Sequence, residues 1–347
     1  MGKVTLADVA RRAGVSLAST SRAMNGQVAS AATVEKVHRA ATELGYIPDS
    51  SARSLRTRRT GQLAFAVADI GNPVYVEMMR EIEAVVAAEG YRLVVSRTGD
   101  AEATLDLVRD LNRGYVDGLI LSPLRVAPAL VEALEESTVP TVVVGRLPAD
   151  AQLDTVMADS EGGVALAVDH LVHTGARRIA FLNGPVETTP GRAREAGFRA
   201  ATAGRPDLVT GEFHAEDFTI DAGYAAASAM FSAETPGWDA VIAVNDLVGV
   251  GTLHAAHERG LAVPEQLAVV GMDNTSLADV CHPGLTSVDL GSVTRGRKAA
   301  RLLLARMDDP TLPPRAVQVP PSLQKRGSTV NRPSRADRND PAERSAR

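Results

Sequence analysis

From Gly61 onward the chain alternates short apolar runs with longer amphipathic stretches, and this restricts the fold more than any other feature of the sequence. QLAFAVAD, RLVVSRT, GLILS, TVVVG, RRIAFLNG, DAVIAVND and LAVVGMD read as buried strands. VYVEMMREIEAVVAAEG and ATLDLVRDLNRG, among others, carry helical spacing between them. Strand–helix alternation predicts parallel sheets with right-handed crossovers. The strands are too many for one small sheet, so two similar lobes are expected. In such sheets ligands bind beyond the carboxyl ends of the strands. The loops 69–75, 122–125, 145–147, 183–194, 245–246 and 273–276 are therefore expected to line one cleft.

Length and composition narrow the class. With 347 residues the chain suits two or three domains. It has only 12 aromatic residues (1 Trp, 5 Tyr, 6 Phe), so its core must come from Ala, Val, Leu and Ile. No apolar run reaches the ~20 residues of a membrane helix, and MGKVTLADVARR lacks the apolar segment of a secretory signal. Cys281 is the single cysteine, which excludes an internal disulfide and a cysteine-based zinc cluster. A cytoplasmic, metal-independent protein without a cofactor is expected.

Charge separates the chain into two parts. Residues 1–60 hold 10 Lys/Arg against 4 Asp/Glu, a net +6, while the remainder carries −11. This asymmetry suits a basic module for a polyanion attached to an acidic body, although a merely solvated surface is compatible with it. The basic part has helix punctuation. Thr5-Leu6-Ala7-Asp8 spells a capping box, Leu6, Val9, Ala10 and Ala13 recur at helical spacing, and Gly14 ends the segment. Ser16 can cap a second helix from Leu17 to Asn25, with Asn25-Gly26 as a turn signal. Ser30 can cap a third, with Val34, Val37, Ala41 and Leu44 on one face, ended by Gly45 and Pro48. Two short helices joined by a glycine turn and buttressed by a third make a helix-turn-helix. Its second helix would present Leu17 and Ala18 to base edges. Ser16, Ser19 and Ser21 would bond phosphates or bases, and Arg22 a guanine or a phosphate. Thr5, Asn25 and Ser30 complete the candidate contact set. Asp49 can cap a short segment, Ser50 to Arg56, with Ala52 and Leu55 on one side. It is too short to be helical alone.

VTLADVARRAGVSLASTSRAMNG, followed by ELGYIPDSSARSLRTRRTG, resembles the headpiece of the LacI/GalR family of transcriptional regulators. NPVYVEMMREIE, VDGLILSP, GARRIAFLNGP, RAREAGFRAA, DAGYAAA, VNDLVGVG, VPEQLAVVGMDN and HPGLTSV resemble the periplasmic-binding-protein-like core of the same family. The resemblance implies a helix-turn-helix headpiece over 1–48 and a hinge helix and linker over 49–60. It implies an effector-binding and dimerisation domain over 61–329 and a disordered tail over 330–347. In the hinge, Leu55 would wedge into the minor groove beside Ala52, with Arg53, Arg56, Arg58 and Arg59 near phosphates. The chain would pass three times between two parallel-sheet lobes, one of about 61–158 with 291–316 and the other of about 159–290 with 317–329. Double-stranded operator DNA, a small polar effector (a sugar or related metabolite) and a second copy of the chain are the implied partners. Two departures, Thr20 at a usually apolar headpiece position and Val34 at a position often held by Arg, predict some loss of headpiece stability or affinity. Leu290 replaces a polar, ligand-facing Gln of many relatives.

Tyr75 and Phe218 can stack on a sugar's C–H face or a purine ring. Asp69, Asn72, Ser122, Asn245 and Asp273 can bond hydroxyls, and Arg194 suits bidentate contact to adjacent hydroxyls or a carboxylate. Arg146 sits at a lobe edge, and Thr188 and Pro190 lie in the loop that varies with effector. Taken singly, each has a structural alternative: helix core for Tyr75, helix capping for Asp69 or Asp273. Enzyme signatures are weak. Gly249-Val250-Gly251 lacks the third glycine of a dinucleotide loop and reads as close helix packing, and His254, His257 and Glu258 stand in the wrong order for a zinc helix. A soluble sugar-binding receptor would share residues 61–329 but would need no headpiece.

Overall fold

A computed structural model describes residues 4–25, 28–47, 59–232 and 237–329. The hinge candidates Ala52, Arg53, Leu55 and Arg56, and the tail 330–347, lie outside the described residues. The chain forms two compact units that meet in sequence at Thr60 and Gly61.

The described residues of the first unit form three helices, Leu6–Ala13, Leu17–Met24 and Ala31–Leu44. Both sides of the capping box form: Thr5 Oγ1 accepts from the Asp8 amide, and Asp8 accepts from the Thr5 amide at 3.0 Å. Gly14 and Gly45 end the first and third helices with left-handed backbone, φ +67° and +63°, where a side chain would be strained. Val9, Ala23, Val37, Ala40 and Ala41 make the small core. Thr20 lies fully buried among them, and its hydroxyl donates to the Ser16 carbonyl at 3.0 Å. The departure from an apolar residue therefore leaves no orphaned polar atom, which limits the expected loss of stability.

The second unit holds two six-stranded sheets. One is ordered β11 (Ala316–Val319), β5 (Asp154–Ala158), β4 (Thr141–Val144), β3 (Gly118–Ser122), β1 (Gln62–Val67) and β2 (Arg92–Arg97), all parallel. The other is ordered β12 (Ser322–Gln324), β10 (Thr286–Asp289), β9 (Ala268–Met272), β8 (Ala240–Ala243), β6 (Arg178–Asn183) and β7 (Val209–His214). In it only β12 runs antiparallel, against β10. The inner strands are buried on both faces, which is why they read as continuous apolar runs. The chain crosses between lobes near Asp159, near Gly291 and after Val319. The expected third crossing at 316/317 is thus corrected: Ala316–Val319 pairs with Asp154–Ala158 in the first lobe.

The β5–β11 join is held by charge. Asp154, fully buried, accepts from Arg306 Nε and Arg315 Nε at 3.1 Å and from the Arg315 amide at 2.9 Å. Burial works to raise its pKa. The hydrogen bonds from Arg315 and Arg306 outweigh that and hold the carboxyl below its ordinary value. Within each lobe helices approach closely. A Cβ on Gly296 would stand 2.7 Å from the Met78 carbonyl oxygen, so only glycine lets helix Ser292–Asp308 lie against Pro73–Ala88.

Candidate ligand cleft and nucleic-acid interface

The carboxyl ends of both sheets open onto one cavity of about 470 Å³, within the range of small-molecule sites. The loops after β1, β2, β3, β4, β7, β8 and β9 all contribute to its lining. Ten of the eleven cleft residues anticipated from sequence line it: Asp69, Asn72, Tyr75, Ser122, Arg146, Pro190, Arg194, Phe218, Asn245 and Asp273. Thr188 does not, and that expectation is corrected. It is buried as the cap of helix Thr189–Thr202, its hydroxyl donating to the Pro185 carbonyl and accepting from the Gly191 amide. Leu290 is also packed in the second lobe's core rather than toward the cavity.

Several lining residues carry a structural duty as well. Asn72 caps helix Pro73–Ala88 through the Val74 amide at 3.1 Å. Asn245 caps helix Asp246–Glu258 and donates to the Phe218 carbonyl at 2.9 Å, so it fixes the loop that carries the aromatic ring. Tyr75 comes from the first lobe and Phe218 from the second. Burial, then the neighbouring Asp273 carboxylate, pushes the Tyr75 hydroxyl up to about 12, which keeps it a neutral donor.

Arg194 and Asp273 form the buried polar centre. Their side chains are 8% and 7% exposed and pair at 3.2 Å, and a second Arg194 nitrogen donates to the Val244 carbonyl. Asp273 holds φ +98°, a region that is rare and costly for a residue with a side chain. The next residue braces it: the Asn274 amide donates to Ser287 Oγ at 2.9 Å. Behind lies Asp246, which accepts from the Thr275 amide at 2.6 Å and from the Thr275 and Ser287 hydroxyls. Burial and the Asp273 charge push it up to about 7 against those donors.

The sequence reading missed Arg97, Asp217 and Arg295, which also line the cavity. Arg97 ends β2 and Asp217 precedes Phe218, so both stood where the strand-end rule looks. Arg295 gave no such signal, because it lies within helix Ser292–Asp308 and not in a loop after a strand. The two lobes meet across the mouth of the cleft. The Thr189 amide donates to the Leu124 carbonyl at 2.7 Å, and Arg125–Glu187 and Arg146–Glu161 pair at 2.7 and 3.4 Å. Among the described residues no group of three His, Cys, Asp or Glu side chains could hold a metal, and no helix is long and apolar enough to cross a membrane. His254 pairs with Glu258 on the surface at 3.5 Å.

In the helical unit, Thr5, Ser16, Leu17, Ala18, Arg22, Asn25 and Ser30 are exposed, and Ser19 and Ser21 half-buried. Ser16 caps helix Leu17–Met24 through the Ser19 amide at 3.1 Å and bonds the Ser19 hydroxyl, which in turn accepts from Arg22 at 3.4 Å. Leu17, 53% exposed at the start of this helix, leaves an apolar side chain open to solvent beside the serines. The helix carries no acidic residue, which suits approach to a polyanion.

Residues 5–49 match bacterial regulatory proteins of the lacI family, and residues 168–329 match a periplasmic-binding-protein-like domain. The ribose operon repressor of Escherichia coli K12 is 35% identical over 333 residues, covering 93% of this chain and 99% of its own. The chain belongs to the lacI family. In architecture this lacI-family protein is similar to a lac repressor dimer bound to operator and the anti-inducer ONPF, with a TM-score of 0.85 at 27% identity over 95% of this chain and 100% of that one. A transcriptional regulator CelR–cellobiose complex gives a TM-score of 0.70 at 32% identity over 94% and 100%. This lacI-family protein is thus a DNA-binding transcriptional regulator, with a helix-turn-helix unit and a two-lobed α/β core.

Proposed function

We propose that the protein is a repressor, acting as a homodimer, whose operator affinity is switched by a sugar bound between the two lobes. The observation that carries this reading is the cleft itself: Arg194 and Asp273 paired and buried, further carboxylates and amides around them, and an aromatic ring from each lobe. Polar groups of both kinds suit the alternating hydroxyls of a sugar, and the rings suit its apolar face. The similar proteins include a ribose operon repressor and a complex with cellobiose, which agrees with a carbohydrate effector. Arg22, the serines of helix Leu17–Met24 and the exposed Leu17 would meet operator DNA, one helix per half-site, with two copies needed for a full site. The segment 49–60, with Ala52, Arg53, Leu55 and Arg56, would order on the duplex as the lobes shift. The ligand acts through its different affinity for two states and leaves unchanged in chemistry.

Removing residues 1–60 tests the division of labour. The shortened protein is expected to lose binding to operator duplex while keeping the thermal shift that a sugar gives the full chain. Loss of the sugar-induced shift together with the headpiece would contradict an independent effector core.

A further inference from the structure

Not every guanidinium donor lining the cleft is used. Asp273 pairs with Arg194 at 3.2 Å, and both Asp273 and Asp289 lie within electrostatic reach of Arg295 without a close ion pair to it among the described residues. The Nε atoms of both arginines are buried with no hydrogen-bond partner among the described residues. Among the described residues Arg295 makes no ion pair within 4.0 Å, and nor does Arg97, which lines the same cavity. The other lining carboxylates are turned to backbone, Asp69 to the Gly71 amide at 2.9 Å and Asp217 to the Phe218 amide at 2.7 Å. Burial, the largest influence, draws the Arg295 pKa below its ordinary value, with Asp273 opposing.

A buried guanidinium with an unused donor is unfavourable unless something supplies an acceptor. A neutral hydroxyl offers one uncharged acceptor, whereas a planar carboxylate or a phosphate offers charged oxygens that match the guanidinium fork and make the stronger bonds. The cluster Tyr75, Ser122, Arg194, Asp273 and Arg295 shares the cavity wall, and Tyr75 feels both arginines and Asp273. An anion seated at Arg295 would therefore stand beside donors from both lobes.

We propose that the effector is an anionic carbohydrate derivative, a sugar acid or a sugar phosphate, whose charged group seats against Arg295 and Arg194 while its hydroxyls meet the remaining polar groups of the cleft. This rests on the cleft being the effector site.

Titration calorimetry on the full chain with matched probes tests it: D-glucose against D-gluconate, D-glucuronate and D-glucose 6-phosphate, D-ribose against D-ribonate and D-ribose 5-phosphate, with inorganic phosphate alone. An anionic member is expected to bind at least about tenfold tighter than its neutral parent, because charge-assisted bonds to guanidinium are the stronger kind. The carboxylate and phosphate arms decide which anion the site takes. Arg295→Met is expected to cut that preference about tenfold, Arg295→Lys to restore part of it, and Arg97→Gln, at an exposed position, to reduce it less. Equal or tighter binding of the neutral sugars, an unchanged preference in Arg295→Met, or inorganic phosphate binding as tightly as a sugar phosphate would overturn the proposal. Binding of neutral sugars alone would leave the effector cleft standing, whereas binding of no carbohydrate would contradict both readings.

Discussion

His170 illustrates how single side chains join the lobe that Arg194 and Asp273 serve. Its Nε2 bonds Thr329 Oγ1 at 2.8 Å, and Thr329 bonds Thr286 at 2.7 Å, so helix Ser160–His173, β10 and the end of the core are linked by one buried chain of polar atoms. Burial, then the nearby positive Lys325 and His173, lowers the His170 pKa from 6.5. The folded state therefore takes up this proton at lower pH than the unfolded chain. Its stabilising contribution is complete above about pH 7.5 and is lost as pH falls through the ordinary histidine range. His170→Gln keeps a bonding group without the titration. The melting temperature of the natural protein, measured against this variant, is expected to fall between pH 7.5 and 5.5. A constant difference across that range would remove His170 from the acid response. Asp246 has the opposite sign, since a raised carboxyl pKa favours folding as pH falls, and it cancels in this comparison.

At the scale of elements, glycine sets how near helices come. Gly251 on helix Asp246–Glu258 faces the backbone of Ile220–Ser232, where an added Cβ would overlap the Ile220 carbonyl and stand 2.5 Å from the Tyr224 nitrogen. Gly251→Ala is expected to destabilise the core by about 1–3 kcal/mol or more, measured by denaturant unfolding, because backbone must move. An unchanged midpoint would show that the helices separate freely. This packing was legible in Gly249-Val250-Gly251, as were the caps Thr5, Ser16 and Ser30 and the strand runs, because each is written in local residue types. What stayed hidden depends on three-dimensional placement. Arg295 reaches the cleft from the middle of a helix, Thr188 turns inward at a helix start, and Ala316–Val319 is a short, half-exposed strand with little apolar signal. In the helical unit, Arg22→Ala is expected to weaken operator binding by about 1–3 kcal/mol, read by fluorescence anisotropy, if Arg22 reads a base. A uniform loss across unrelated duplexes would instead make it a phosphate contact.

At the scale of the whole molecule, the proposed function requires the cleft to act on the DNA-reading unit through the dozen residues 49–60. The lobes share three crossings and the contacts Thr189–Leu124, Arg125–Glu187 and Arg146–Glu161, so a ligand that changes the spacing of the lobes must remake these pairs. Exposed ion pairs of this kind are weak individually, which suits a device that has to open and close. Linkage requires the coupling to be reciprocal. The most direct measurement is therefore a paired titration on the full chain, using a duplex selected from a random library by this protein and the tightest carbohydrate from the calorimetric panel. The account predicts that saturating ligand changes duplex affinity by about 5–150-fold, and that saturating duplex changes ligand affinity by the same factor. Duplex affinity that stays the same with the cleft full or empty would contradict it.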